Sequence, residues 1–152
     1  MTEQWIAEIA TFPDVLENEL SAFSDALLET SYRPGGWTGR QVVHHLMDSH
    51  INSYVRFKLT LTEDSPVIKP YLEAQWAQLP DYEQISVKDA CSLLRLIHQR
   101  WVVILKSMTD DQFRRKYIHP EYQKEFSLHE ALGMYAWHCR HHLGHLKLIR
   151  KS

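Results

Sequence analysis

Apolar residues recur with the period of an α-helix along most of the chain, and strand-like alternation never lasts more than a few residues. Serine or threonine three residues before a glutamine, aspartate or glutamate marks three helix starts, because such pairs satisfy free N–H groups of the first turn. Pro13 is expected to break the first helix or to open its longer half. The predicted helices are about Thr2–Thr30, Gly39–Leu61 with the cap Thr38, a third from the cap Ser86 to Ser107, and a fourth from the cap Ser127 to Arg150.

The links between these helices differ greatly in length. Residues 32–37 have the composition of a turn, residues 110–117 that of a short helix, and residues 119–126 that of a turn or small hairpin. The longest link has 24 residues, separates the second helix from the third, and is rich in proline. A link of that length allows the two helices it joins to run parallel. We therefore predict that residues 1–152 form one domain, an all-α four-helix bundle with up-down-down-up order.

Charge and composition limit the classes of partner. A formal net charge of -2 gives no attraction to phosphate backbones or anionic lipids. No apolar stretch reaches the ~18 residues that cross a bilayer, and the first residues lack a signal-peptide pattern. Cys91 and Cys139 lie in apolar helical patterns, which predicts buried reduced thiols. We expect a cytoplasmic protein that binds neither nucleic acid nor membranes.

Histidine is the one unusually frequent residue, with ten in 152 positions. Residues four apart share a helix face, so two imidazoles at that spacing can bind one metal ion. Two such pairs occur, His138 with His142 and His141 with His145, and spacing does not choose between them. The alternative is that the histidines hydrogen-bond one another or the backbone without a metal. Seven of the ten lie on two predicted helices, His44, His45 and His50 on the second and His138, His141, His142 and His145 on the fourth.

A polar stripe on the second helix offers a third ligand. His45, Ser49, Asn52 and Arg56 follow one another at helical spacing beside the apolar arc. The stripe is either a solvated face or the lining of a polar pocket, with His45 as ligand and Arg56 below it. Asp48, the nearest acid, lies towards the outer edge of the helix. Three neutral nitrogen ligands suit Zn²⁺, Ni²⁺, Co²⁺ or Fe²⁺ and leave a coordination position open.

Recognisable motifs occur along nearly the whole chain: YRPGGWT at 32–38, RQVVHHL at 40–46, DSH at 48–50, RFKL at 56–59, LTED at 61–64, RW at 100–101, HPE at 119–121, YAWH at 135–138 and HHxxH at 141–145. Together they closely resemble the YfiT branch of the DinB superfamily. Members of that family are four-helix, up-down-down-up bundles that hold a metal ion through three histidines. The resemblance implies that these are His45, His141 and His145, and we expect one divalent metal ion per chain, Zn²⁺ or Ni²⁺.

The resemblance also implies a metal-dependent enzyme acting on a small molecule. Relatives are described as hydrolases, and several transfer low-molecular-weight thiols such as bacillithiol. Since no carboxylate stands beside the ligands as a base for water, we favour a thiol as the nucleophile. Arg56 either orients an anionic group of the substrate or cosubstrate or forms a structural ion pair. The other hypothesis is a binding bundle without turnover, in which His138, His142 or Asp48 completes a four-ligand shell.

A homodimer is the predicted assembly. Aromatic side chains lie in segments that a compact bundle need not bury, notably Trp5, Trp76 and Tyr82, and members of the family commonly pair.

Overall fold

A computed structural model describes all 152 residues, and four long helices form its body. Four short helices, of four or five residues each, and one two-stranded hairpin lie in the links. The elements are α1 (Thr2–Leu20), α2 (Asp25–Leu28), α3 (Gly39–Thr62), α4 (Glu73–Trp76), α5 (Asp81–Gln84), α6 (Val87–Ser107), α7 (Asp110–Arg114), β1 (Lys116–His119), β2 (Lys124–Ser127) and α8 (Leu128–Lys151). The predicted starts of α3, α6 and α8 are confirmed. The segment predicted as a turn or small hairpin is a hairpin, but its strands reach from Lys116 to Ser127, so the short helix predicted over residues 110–117 ends at Arg114.

Side-chain caps set the starts of these helices, as the sequence predicted. Thr38 accepts from the backbone N–H of Gln41, whose side chain accepts in turn from the N–H of Thr38. Ser127 and Glu130 form the same reciprocal pair at the start of α8. These capping boxes occupy N–H groups that no helix carbonyl can reach.

The first predicted helix was wrong at two points. It ends at Leu20 rather than near Thr30, because Ser24 adopts extended backbone and starts α2 by accepting from the N–H of Leu27. Pro13 neither breaks the helix nor opens it, since it lies inside α1. The carbonyl of Ile9, which Pro13 leaves without an N–H partner, accepts from His98 on α6 at 2.7 Å instead.

The long link lets α3 and α6 run parallel, which gives the bundle its up-down-down-up order. Around the bundle, α1 packs on α6 and α8, and α3 packs on the same two helices. Antiparallel neighbours are α3 with α8, and parallel neighbours are α3 with α6 and α1 with α8. The contacts that fix these directions are His45–His142 and Arg56–Tyr135 for the first pair, His50–His98 and Phe57–Trp101 for the second, and Trp5–His129 and Glu8–Arg140 for the third.

One hydrophobic core runs through the bundle and contains the fully buried Trp101 at its centre. Cys91 and Cys139 are free and buried, as predicted. No helix combines the length and apolar character that a bilayer crossing requires. The core also takes up aromatic side chains that motivated the dimer: Tyr82 is buried and Trp5 packs against the core. The dimer therefore stays a prediction, supported by the resemblance alone.

Candidate metal centre

Three imidazoles from α3 and α8 converge at one point between these antiparallel helices. The Nε2 atom of His138 lies 3.2 Å from Nε2 of His45 and 3.0 Å from Nε2 of His142. The three residues each offer a ligand nitrogen, and these nitrogens all lie within 4.8 Å of one another. His138 and His142 are one helical turn apart, so both face α3.

Burial keeps this cluster uncharged. It lowers the pKa of His45 to about 4 and that of His138 to about 3, and in each case nearby histidines add to the effect. Burial, with the neighbouring imidazoles second, also holds the pKa of His142 far below its ordinary value. At neutral pH each ring therefore has one nitrogen lone pair available, which is the form that binds a metal ion.

The hydrogen-bond pattern of the cluster fits a metal ion. Side-chain nitrogens of His45, His138 and His142 have only other histidines as partners, and Nδ1 of His45 is buried with no partner at all. A buried unpartnered polar atom costs about 1–3 kcal/mol. Three neutral nitrogen donors are a ligand set that Zn²⁺ and Ni²⁺ accept.

The other predicted ligands form a second group that shares His142. Ligand nitrogens of His141, His142 and His145 also lie within 4.8 Å of one another. His141 is exposed and stacks on Trp137 at 4.6 Å, while the half-buried His145 stacks on Tyr32 with centroids 3.9 Å apart. The predicted trio of His45, His141 and His145 is not brought together as one group.

Arg56 faces a cavity beside the cluster and forms no ion pair. Its guanidinium donates to the carbonyl of Lys69 at 3.1 Å and to the Tyr135 hydroxyl at 3.5 Å, with no carboxylate oxygen within 4.0 Å. The cavity has a volume of about 440 Å³ and is walled by α3, α8, the crossover and the hairpin. Polar side chains in its wall are Ser49, Arg56, Tyr71, Glu73, Gln75, His119, Glu121, Tyr122 and Tyr135.

Two neighbours connect this cavity to the histidines. Ser49 lies one helical turn after His45 on α3, and the Tyr135 ring lies 6.0 Å from the His138 ring. His119 lies outside the two helices that carry most of the histidines, yet it lines the cavity and its Nδ1 is buried without a partner. Burial lowers the pKa of His119, with Arg56 as a smaller cause, so the ring favours its neutral form.

Asp48 is occupied away from the imidazoles. The Tyr82 hydroxyl donates to its carboxylate at 2.6 Å, which fastens α5 to α3. Burial raises the pKa of Asp48, although this hydrogen bond opposes the rise. Asp48 belongs to neither histidine group, so neither contains a carboxylate.

Fold and site together define a class: four-helix bundles that gather inward-facing histidines at one metal-binding centre. The chain belongs to the DinB superfamily, whose family profile matches residues 8–146. Within that superfamily it belongs to the YfiT branch, as the following relatives establish.

Similar proteins come from several Bacillus species. The "Putative metal-dependent hydrolase YfiT" of Bacillus subtilis (strain 168) is 44% identical over 144 residues, which are 95% of this chain and 81% of that protein. A "Putative metal-dependent hydrolase" of Bacillus cereus (strain 03BB102) is 46% identical over 99% of this chain and 86% of its own length. The solved structure of Bacillus subtilis YfiT, described as having "an unusual four-helix bundle topology", superposes with a TM-score of 0.96 at 43% identity, covering 99% of this chain and 86% of that one.

Proposed function

We propose that the chain is a metal-dependent enzyme in which His45, His138 and His142 hold one divalent metal ion, Zn²⁺ or Ni²⁺. The observation that carries the proposal is the convergence of three neutral imidazoles from two antiparallel helices, with His45 and His142 buried and His138 half-buried. Relatives whose names refer to metal dependence support the same conclusion.

The proposed ligand set differs from the trio predicted from the sequence. Both sets use His45, but they differ in the pair taken from α8, His138 with His142 or His141 with His145. Burial favours the first pair, because His141 is exposed, whereas the Nε2 atoms of His138 and His142 already face the cluster. The trio predicted from the sequence is the competing ligand set, and comparing the metal content of His138→Ala and His141→Ala distinguishes the two sets.

Three protein ligands favour catalysis over storage. A storage or structural site surrounds its metal with protein ligands, usually four, whereas a catalytic site leaves a position for water or substrate. The acid that could have closed this site, Asp48, is bonded to Tyr82 instead. An ion held here supplies Lewis acidity, which lowers the pKa of a water or thiol at the open position.

A thiol is the nucleophile that the surroundings favour. No carboxylate hydrogen-bonds any of the three imidazoles, so no base stands next to the centre to take a proton from water. A thiol needs less help, since its ordinary pKa of about 8.5 is already close to neutral. We therefore propose transfer of a low-molecular-weight thiol to an electrophilic small molecule.

Hydrolysis is the second candidate, and His119 is the residue that favours it. Its unpartnered Nδ1 lines the cavity and is the one neutral imidazole there outside the cluster, which suits a general base. The hydrolase names of the relatives point the same way.

Arg56 gives the cavity its preference for an anionic group. It has no carboxylate partner of its own, so a carboxylate or phosphate on the substrate can take that place. We propose that the thiol or its acceptor carries such a group.

Conjugation of thiols to monochlorobimane tests this function. Metal-loaded protein should conjugate bacillithiol faster than the metal-free protein, and His142→Ala should remove the difference. Arg56→Gln should erase a preference for N-acetylcysteine over its methyl ester, while Arg100→Gln, which changes an exposed guanidinium on α6, should keep it. No metal-dependent rate with any thiol, alongside ester hydrolysis that His119→Gln abolishes, would replace transfer by hydrolysis.

A further inference from the structure

We propose that His98 and His50 are positioning residues that hold His138 in the one tautomer able to bind a metal ion. They act through a one-way chain of hydrogen bonds that starts at the carbonyl of Ile9 and ends at Nε2 of His138. This inference rests on the proposed metal site, and it concerns two buried histidines that neither belong to that site nor line the cavity.

The chain starts at a carbonyl that the helix leaves free. The carbonyl of residue i in an α-helix accepts from the N–H of residue i+4. For Ile9 that residue is Pro13, which has no N–H. Nδ1 of His98 lies 2.7 Å from this carbonyl oxygen. Because a carbonyl can only accept, Nδ1 of His98 must carry the proton.

The next ring, that of His50, donates its hydrogen bond in the same direction along the chain of hydrogen bonds. Burial lowers the pKa of His98 to about 4, so at neutral pH the ring has a single N–H and its Nε2 is a lone pair. Nδ1 of His50 lies 2.6 Å from that nitrogen and therefore donates to it. His50 is completely buried and has no carboxylate among its hydrogen-bond partners, so the ring carries a single N–H and its own Nε2 is bare as well.

The last bond reaches the proposed ligand. Nε2 of His50 lies 3.1 Å from Nδ1 of His138, so Nδ1 of His138 donates its proton there. The Nε2 atom of His138 is left as a lone pair, 3.2 Å from His45 and 3.0 Å from His142. Metal-binding histidines usually donate their other N–H to an acceptor, which fixes tautomer and ring orientation. Here the acceptor is a neutral imidazole.

Packing protects the chain from competing partners. His50 and His98 stack at 4.9 Å and are at most 1% exposed. The rings of Phe12, Trp101 and Tyr135 lie within 6.1 Å of the His50 ring. The two nitrogens of His50 have no hydrogen-bond partners other than His98 and His138. The free carbonyl on α1 therefore determines which nitrogen of His138 on α8 keeps its lone pair.

Histidine tautomers in the metal-free wild-type protein give the first test. Long-range ¹H–¹⁵N NMR spectra at pH 7 distinguish the Nδ1–H from the Nε2–H form of each ring. We expect Nδ1–H for His98, His50 and His138. Finding His138 as Nε2–H would overturn the proposal, and this result requires neither metal nor a variant.

Metal affinity in variants gives the second test. His98→Phe keeps a ring of similar size but offers no acceptor to His50, and we expect the Kd for Zn²⁺ to rise by about 10- to 100-fold. His98→Gln, whose amide can accept from His50 and donate to Ile9, should recover most of that loss. His129→Gln, a histidine change on α8 outside the chain, should leave the Kd unchanged. Circular dichroism would check that each variant is folded.

The outcomes separate the two proposals. Wild-type affinity in a folded His98→Phe variant would overturn the positioning role while leaving the metal site in place. A wild-type protein that takes up no metal would overturn the proposed function and the positioning role with it.

Discussion

The hydroxyl of Tyr82 donates a 2.6 Å hydrogen bond to the carboxylate of Asp48, and this contact joins the long crossover to α3. Asp48 lies three residues after His45, so the crossover is fastened to the helix turn that follows the proposed metal ligand. The same Tyr82 ring stacks on His44 at 5.1 Å. One aromatic residue of a short helix therefore covers two side chains that flank the ligand.

Removing that hydroxyl should loosen the crossover. Because the hydrogen bond has a charged acceptor, Tyr82→Phe should lower the free energy of unfolding by about 1.5–3 kcal/mol. The bond also lowers the pKa of Asp48 against the effect of burial, so the loss should shrink at acidic pH, where the carboxyl is protonated. Urea denaturation at two pH values measures both effects. Tyr122→Phe, at an exposed hairpin position, is the control, and equal effects in the two variants would contradict the assignment.

Replacing either of two glycines of α8 by alanine should change the stability of the protein, but in opposite directions at the two positions. A Cβ at Gly133 would lie 2.9 Å from the Trp5 ring, whereas a Cβ at Gly144 would meet nothing within 4 Å. Gly144→Ala should stabilise the helix by about 0.5–1 kcal/mol, since alanine loses less backbone freedom on folding. Gly133→Ala should be less stable than Gly144→Ala by about 1–3 kcal/mol because Trp5 must move. Thermal unfolding of the two variants measures the difference. Equal stabilities would contradict the prediction and would show that the Trp5 ring moves aside at no cost in free energy.

Stability of the metal-free protein should fall as the pH falls from 6.5 to about 4, in part because of His98. Burial lowers its pKa from 6.5 to about 4, so in this range the unfolded chain binds a proton that the folded chain does not. The stability that neutral His98 contributes is fully present above pH 6.5 and is lost as the pH falls through 4. His98→Phe should therefore show a shallower decline, by up to about 3 kcal/mol over the range. Unfolding curves measured at half-unit pH steps give the dependence of stability on pH for the wild-type protein and for His98→Phe. Equal slopes in the two proteins would contradict the prediction.

The sequence predicted the bundle because its signals are local. The caps Thr38, Ser86 and Ser127 and the length of the crossover depend on neighbouring residues alone, and each prediction was confirmed. The end of α1 was missed because Leu20 is followed by residues that could continue a helix. What stops it is the capping geometry of Ser24, which becomes visible only in the structure.

The candidate site was harder to predict because it depends on how α8 is rotated against α3. Spacing gave two equivalent histidine pairs, and the rotation that makes one of them face His45 comes from packing. A usable signal did exist: His142 continues the apolar stripe of Tyr135, Cys139 and Leu146, whereas His141 does not. His98 likewise lies in the buried stripe of α6 between Leu94 and Trp101, where an isolated histidine requires a specific partner.

Metal content of three proteins tests the central claim most directly. Wild-type protein, His138→Ala and His141→Ala would be purified without chelator, supplied with Zn²⁺ or Ni²⁺, desalted and measured by mass spectrometry of the metal. His138 and His141 lie three residues apart on α8, which makes the pair a matched comparison. We predict one ion per chain in the wild-type protein and in His141→Ala, and almost none in His138→Ala. Loss of metal in His141→Ala with retention in His138→Ala, or no uptake by the wild-type protein, would contradict the account.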